Sequence, residues 1–204
     1  MLPGINGGLA PAMQIQERQK HSGNTVEVQK TTQLPDAAGR WQVAEVRHTT
    51  IKDEGKNRSS EESVSQPDLE GKLGDVSRTV DKESESVSGD RRKSEETYSI
   101  DLPGAARDSG LHLVQRVTTT QSSNTNGQQT TKITKQPNPG DPAAGLWVTT
   151  VTRDSVRLGT AGAQATETIQ LRDANGSLGV VSVDMTKSDS VHGVEVQIAP
   201  AKSK

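Results

Sequence analysis

The chain has 204 residues, of which 29% are hydrophobic, with two Trp, one Tyr, no Phe and no Cys, and its 24 basic residues nearly cancel 26 acidic ones. This composition excludes an aromatic-rich core, disulfides, thiolate metal sites and thiol nucleophiles, and its near-neutral balance argues against nucleic acid or an anionic membrane as the main partner. In place of core formers stand 21 Thr and 20 Ser beside 19 Val. Thr and Val suit a half-buried pleated surface, and compositional disorder needs a high net charge that is absent here, so the expectation is exposed β-structure around a thin core.

In chain order, residues 1–22 read as an N-terminal arm. The opening Met1-Leu-Pro-Gly-Ile-Asn-Gly-Gly has neither the basic n-region nor the apolar h-region of a signal peptide, and no run of about 18 apolar residues predicts a membrane helix. Residues 10–20 alone fit a short helix, and an extended arm fits them equally well.

From residue 23 onward the chain repeats. A glycine precedes an apolar strand start at Gly39, Gly71, Gly110, Gly145 and Gly176, and a second series, Gly55, Gly89, Gly127, Gly162 and Gly193, lies between, both at intervals of 31–39 residues. Two interleaved turns per period mean two strands per period. Pro35-Asp-Ala-Ala-Gly39, Pro67-Asp-Leu-Glu-Gly71 and Asp173-Ala-Asn-Gly176 each start with Pro or Asp and end on Gly, the chemistry of a tight reversal. The corner widens in Leu102–Gly110 and Pro137–Gly145. Asn126-Gly127 is a strong two-residue hairpin signal. Between turns, segments such as Val181-Ser-Val183-Asp-Met185 alternate with the strand period. The prediction is an all-β, extended antiparallel meander of about five hairpin repeats and ten or eleven strands, open or solenoid-like. The repeats fall at 23–56, 57–90, 91–127, 128–162 and 163–193, with 194–204 as a terminal strand and tail. The residue after each corner, Trp41, Leu73, Leu113, Trp147 and Leu178, is the expected repeat core.

Residues 52–96 hold 22 charged residues in 45, whereas 109–152 hold four in 44. The first block reads as wet strands with charges paired across the sheet or as a disordered linker, the second as a Thr/Gln/Asn-rich sheet. The four histidines, His21, His48, His112 and His192, stand far apart and read as solvated strand or turn residues. Glu61-Glu62 and Glu95-Glu96 lie where no apolar pocket would tune a carboxylate. Neither a nucleophile elbow nor a phosphate-binding glycine loop is present. Asn57-Arg-Ser59 and Asn175-Gly-Ser177 are glycosylation sequons only in a compartment that glycosylates. No catalytic, cofactor or metal site is predicted.

Arg172-Asp-Ala-Asn-Gly-Ser-Leu-Gly-Val-Val and Pro67-Asp-Leu-Glu-Gly-Lys-Leu-Gly-Asp-Val resemble the Asp-x-x-Gly-x-Leu-x-x-Val core of YD (Rhs-type) repeats. The resemblance implies a bacterial, exported hairpin-repeat protein. It covers short windows, without the Tyr of those repeats and at a longer period.

An open sheet with a weak apolar face leaves its edges unpaired. Ser22-Gly-Asn-Thr-Val26-Glu-Val28-Gln29 near the N-terminus is echoed by His192-Gly-Val194-Glu-Val196-Gln197 near the C-terminus, and an array with matching ends is suited to stacking head to tail. Val26, Val28, Val194 and Val196 are therefore candidate subunit contacts, with the arm either a clasp on a neighbouring copy or packed along its own chain. The expected function is a non-enzymatic, self-assembling subunit of an extracellular filament, tube or surface layer. The alternative is a monomeric bacterial surface stalk or adhesin that binds glycans or other surfaces through its Thr/Asn/Gln-rich face.

Overall fold

The computed structural model describes residues 2–3, 9–10, 12–101, 110–159, 162–173, 175–189 and 193–200. Among them the only helical element is a single turn of 3-10 helix at Pro142–Ala144, and the rest is strand and turn. The strands are β1 (Leu2–Pro3), β2 (Leu9–Ala10), β3 (Gln14–Ser22), β4 (Thr25–Pro35), β5 (Trp41–Asp53), β6 (Asn57–Pro67) and β7 (Leu73–Glu85), then β8 (Arg91–Ser99), β9 (His112–Asn124), β10 (Gly127–Pro137), β11 (Leu146–Gly159), β12 (Gly162–Arg172), β13 (Leu178–Asp189) and β14 (Gly193–Pro200). β1 pairs only with β2, and β3 to β14 form a 12-stranded sheet in unbroken sequence order, with β3 at one end and β14 at the other. The fold is the expected open antiparallel meander. Its count exceeds ten or eleven because residues 14–22, expected as helix or arm, form β3 on β4 of their own chain.

Turn chemistry explains why the chain reverses where it does. At Asp36–Arg40, Asp36 Oδ1 accepts the N–H groups of Ala38 and Arg40, each at 2.9 Å. The Gly39 N–H donates to the Asp36 carbonyl at 2.9 Å, and the Asp36 N–H to the Arg40 carbonyl at 2.8 Å. Asp68 repeats the scheme with Glu70 and Lys72, and Asp173 with Asn175 and Ser177. At the β7–β8 reversal Ser86 Oγ takes the Asp90 N–H instead. Gly39, Gly71, Gly89 and Gly176 close these turns with φ between 77° and 86°. A type I turn followed by a left-handed residue forms a three-residue hairpin loop with a G1 bulge, and Gly occupies that region without a Cβ clash.

The other glycines of the two series also stand at junctions. Gly55, Gly110 and Gly145 lie in connections, each with positive φ, while Gly127, Gly162 and Gly193 open β10, β12 and β14. Asn126-Gly127 is not the central pair of a two-residue turn. The turn residues are Thr125 and Asn126, braced by Asn124 Oδ1 accepting the Asn126 N–H at 2.8 Å. Gly127 lies beyond them at φ 146°, where an added Cβ would overlap the Val156 carbonyl oxygen. The widened corner at 102–109 lies outside the described residues.

The chain divides into two compact units, residues 1–80 with 97–112, and 81–96 with 113–204. In the first, β3, β4, β5 and β6 pair successively, so that Gln19, Val28, Thr49 and Glu62 share one row and Lys20, Glu27, Thr50 and Glu61 the next. In the second, β9 to β14 pair in the same manner. Three of these pairings contain a one-residue bulge. Ala44 of β5, Thr149 of β11 and Val181 of β13 each lack an opposite residue, and each follows its corner glycine by four or five positions. A bulge adds local twist and shifts the alternation of faces by one.

Burial is slight. Among the described residues only Val80 and Val151 are buried. The post-corner residues are not the core. Trp41, Leu73 and Leu178 are exposed, and Leu113 and Trp147 are half-buried. Standing at or near strand starts, they have fewer lateral neighbours than mid-strand residues, and the two buried valines lie well inside β7 and β11. Residues 52–96 are strand rather than linker, laced by ion pairs such as Arg78–Glu61 at 3.1 Å and Arg91–Glu85 at 2.9 Å. Exposed pairs of this kind contribute about 0–1 kcal/mol each, so backbone ladders carry most of the structure.

Candidate functional site

Three features stand out from the residues upward: the two terminal strands, an aromatic corner, and a row of carboxylates.

β3 leads into the Gly23-Asn24 turn, with Gly23 at φ 58°, and after Gln14 every one of its side chains is exposed. Its one ion pair, Lys20–Glu27 at 3.9 Å, joins it to β4. Glu17, Arg18 and Lys20 give it three charges among nine residues. β14 carries Glu195 as its single charge and pairs with β13 through Ser188↔Val194, Lys187↔Glu195 and Thr186↔Val196. The four valines expected as subunit contacts therefore part company. Val194 and Val196 belong to an end strand, whereas Val26 and Val28 lie in β4, flanked by β3 and β5 and already paired on both sides. The strand that ends the sheet near the N-terminus is β3.

At the β10–β11 corner, Arg172 from β12 lays its guanidinium 4.8 Å from the Trp147 ring centroid and donates to the carbonyls of Val148 and Gly176. An open depression of about 640 Å³ lies beside it, lined among others by Gln136, Asn138, Thr149 and Asp173. A cation over an indole face contributes about 0.5–1 kcal/mol at such exposure. The same motif recurs where Arg78 sits 5.2 Å from the Tyr98 centroid. Both pairs brace neighbouring strands, and Trp147 has its face occupied.

The carboxylate row was hidden from sequence reading. Register places Asp154 of β11 opposite Glu167 of β12, and Glu167 opposite Asp184 of β13. Like charges directly opposed destabilise a sheet, and the Oδ1 atoms of Asp154 and Asp184 are buried without a hydrogen-bond partner. In the first unit opposite charges meet instead. Arg47 lies between Glu45 at 3.2 Å and Glu62 at 2.8 Å. The Glu45 hydrogen bond leads in raising its pKa, burial opposes it, and Glu62 adds to the rise.

No group of His, Cys, Asp or Glu among the described residues is arranged to hold a metal ion. Gln19 bonds His21 at 2.9 Å, and Thr50 bonds His48 at 3.4 Å. His192 lies outside the described residues. No helix among them is long and apolar enough to cross a membrane. The chain matches no known protein family, curated protein or solved structure.

Proposed function

We propose that this chain is a non-enzymatic structural subunit that self-assembles, through its sheet ends, into an extracellular filament, tube or surface layer. One observation carries the reading: a 12-stranded sheet in sequence order has two end strands, while only two described side chains are buried. Apolar burial at about 25 cal/mol per Å² is the usual driving force of folding, and here most of it is forgone. A second copy supplies both what an unpaired edge lacks, its ladder partner, and part of the missing burial. Head-to-tail contact that does not close yields a filament. The extracellular, bacterial setting rests on the resemblance of the Asp68 and Asp173 corners to YD repeats.

The second reading, a monomeric surface stalk or adhesin, draws on the depression beside Trp147. Electron microscopy of the purified chain over a range of concentrations separates the two. Long unbranched polymers are expected. Monodisperse particles at every concentration would refute assembly, and retention of those particles on a glycan array would favour the adhesin.

A further inference from the structure

We infer that the junction between copies is an antiparallel pairing of β14 with β3 of the next copy, in the register that sets Glu195 opposite Lys20. The inference rests on the assembly reading and names its contact.

The antiparallel direction and the register both follow from the partner that β3 already has. Its inner edge pairs with Val26-Glu27-Val28-Gln29, giving His21↔Val26, Lys20↔Glu27, Gln19↔Val28 and Arg18↔Gln29. β14 carries the same four residue types in the same order, Val194-Glu195-Val196-Gln197. Placed on the outer edge of β3 in the matching register, it sets Val194 opposite His21, Glu195 opposite Lys20, Val196 opposite Gln19 and Gln197 opposite Arg18. A one-residue slip would turn every side chain to the other face. The register thus extends the rows of β3 and β4 across the junction.

Charge and length agree. Lys20 is 75% exposed and holds Glu27 only at 3.9 Å, which leaves it open to a second carboxylate. Arg18 stands diagonal to Glu195, and Glu17 faces Ile198, so no like charges meet. The register pairs eight residues, Ile15–Ser22 with Gly193–Pro200, spanning all of β14.

The chain has no cysteine, so engineered pairs report cleanly. Gln19→Cys with Val196→Cys and Arg18→Cys with Gln197→Cys test two adjacent rows. Opposed strand residues lie about 4.5–5.5 Å apart at Cα, within disulfide reach. Gln19→Cys with Gln197→Cys is the off-register control. Under oxidation both on-register pairs should give a reducible ladder of linked multimers, while the control and every single-Cys variant stay unlinked.

Filaments seen under reducing conditions without linkage of either pair would overturn this junction and leave assembly standing. A linked monomer would mean that the two ends of one chain meet, and single-Cys dimers would mean like-to-like edges. Either result overturns the inference. Absence of both filaments and links would refute the assembly reading itself. Circular dichroism of each reduced variant confirms that the sheet has formed.

Discussion

Gly127→Ala tests whether backbone ladders, rather than side-chain packing, hold this sheet. At φ 146° a non-glycine residue carries strain of about 1–3 kcal/mol. The new Cβ would also overlap the Val156 carbonyl oxygen. Relieving that overlap requires β10 to draw away from β11 at the Gly127↔Arg157 pair, endangering the hydrogen bond from the Leu158 N–H to the Asn126 carbonyl at 2.9 Å. One such bond contributes about 1 kcal/mol. The expected loss is about 2–4 kcal/mol, or roughly 4–16 °C in melting temperature for a chain of this size. The control is Gly74→Ala, where an added Cβ meets nothing within 4 Å and φ lies outside the left-handed region. It should be neutral or stabilising by about 0.4–1 kcal/mol, because Ala restricts the unfolded chain. Urea titration followed by circular dichroism measures both. A Gly127→Ala midpoint indistinguishable from that of the parent would refute the reasoning.

Three further expectations concern the thin core, the carboxylate row and the corner turns. Val151→Ala removes two carbons from a side chain 5% exposed and should cost about 1–2 kcal/mol, since the position belongs to a sheet with little packed on it; a loss above about 3 kcal/mol by urea titration would reveal a packed layer. Glu167→Gln breaks the like-charge row and should raise stability by about 0.2–1 kcal/mol, a gain that shrinks in high salt; destabilisation would mean that the row is held by favourable contacts. The Asp36 carboxyl is held below its ordinary value first by the Arg40 N–H hydrogen bond, with burial opposing and the Arg40 guanidinium, Ala38 N–H and Gln42 side chain assisting. Its contribution is therefore complete above the unfolded value of about 3.9 and is lost as pH falls through the lower folded value. The stability gap between parent and Asp36→Ala should be level from pH 7 to about 5 and narrow below about 4; a gap unchanged in strong acid would contradict the turn assignment.

Much of the architecture was legible because turns are local. Asp or Ser at the first position and Gly at the fourth write the reversal into five consecutive residues, as at Asp36–Arg40 and Asp68–Lys72, and strand alternation fills the space between. Residues 10–20 fit helix and extended arm equally because Gln14–Ser22 offers one apolar residue, Ile15, and a wet end strand shows no period of two. Trp41, Leu73 and Leu178 misled because a large apolar residue after a corner looks like core, yet a strand end has fewer lateral neighbours to bury it. The Asp154–Glu167–Asp184 row could not be read in advance. It depends on register across three strands, and register depends on turn lengths and on bulges at Thr149 and Val181 that no sequence signal marks. The echo between Val26–Gln29 and Val194–Gln197 was legible, but its meaning was not. Only the pairing of β3 with β4 turns it from a match of ends into a template for a junction.

Fibre diffraction from oriented filaments tests edge-to-edge assembly most directly. Strands continuing from copy to copy lie across the filament axis, so a meridional reflection at about 4.8 Å is predicted, without the roughly 10 Å equatorial reflection of face-stacked sheets. Filaments that lack the 4.8 Å meridional reflection, or that show both spacings, would contradict a single sheet continued through its ends.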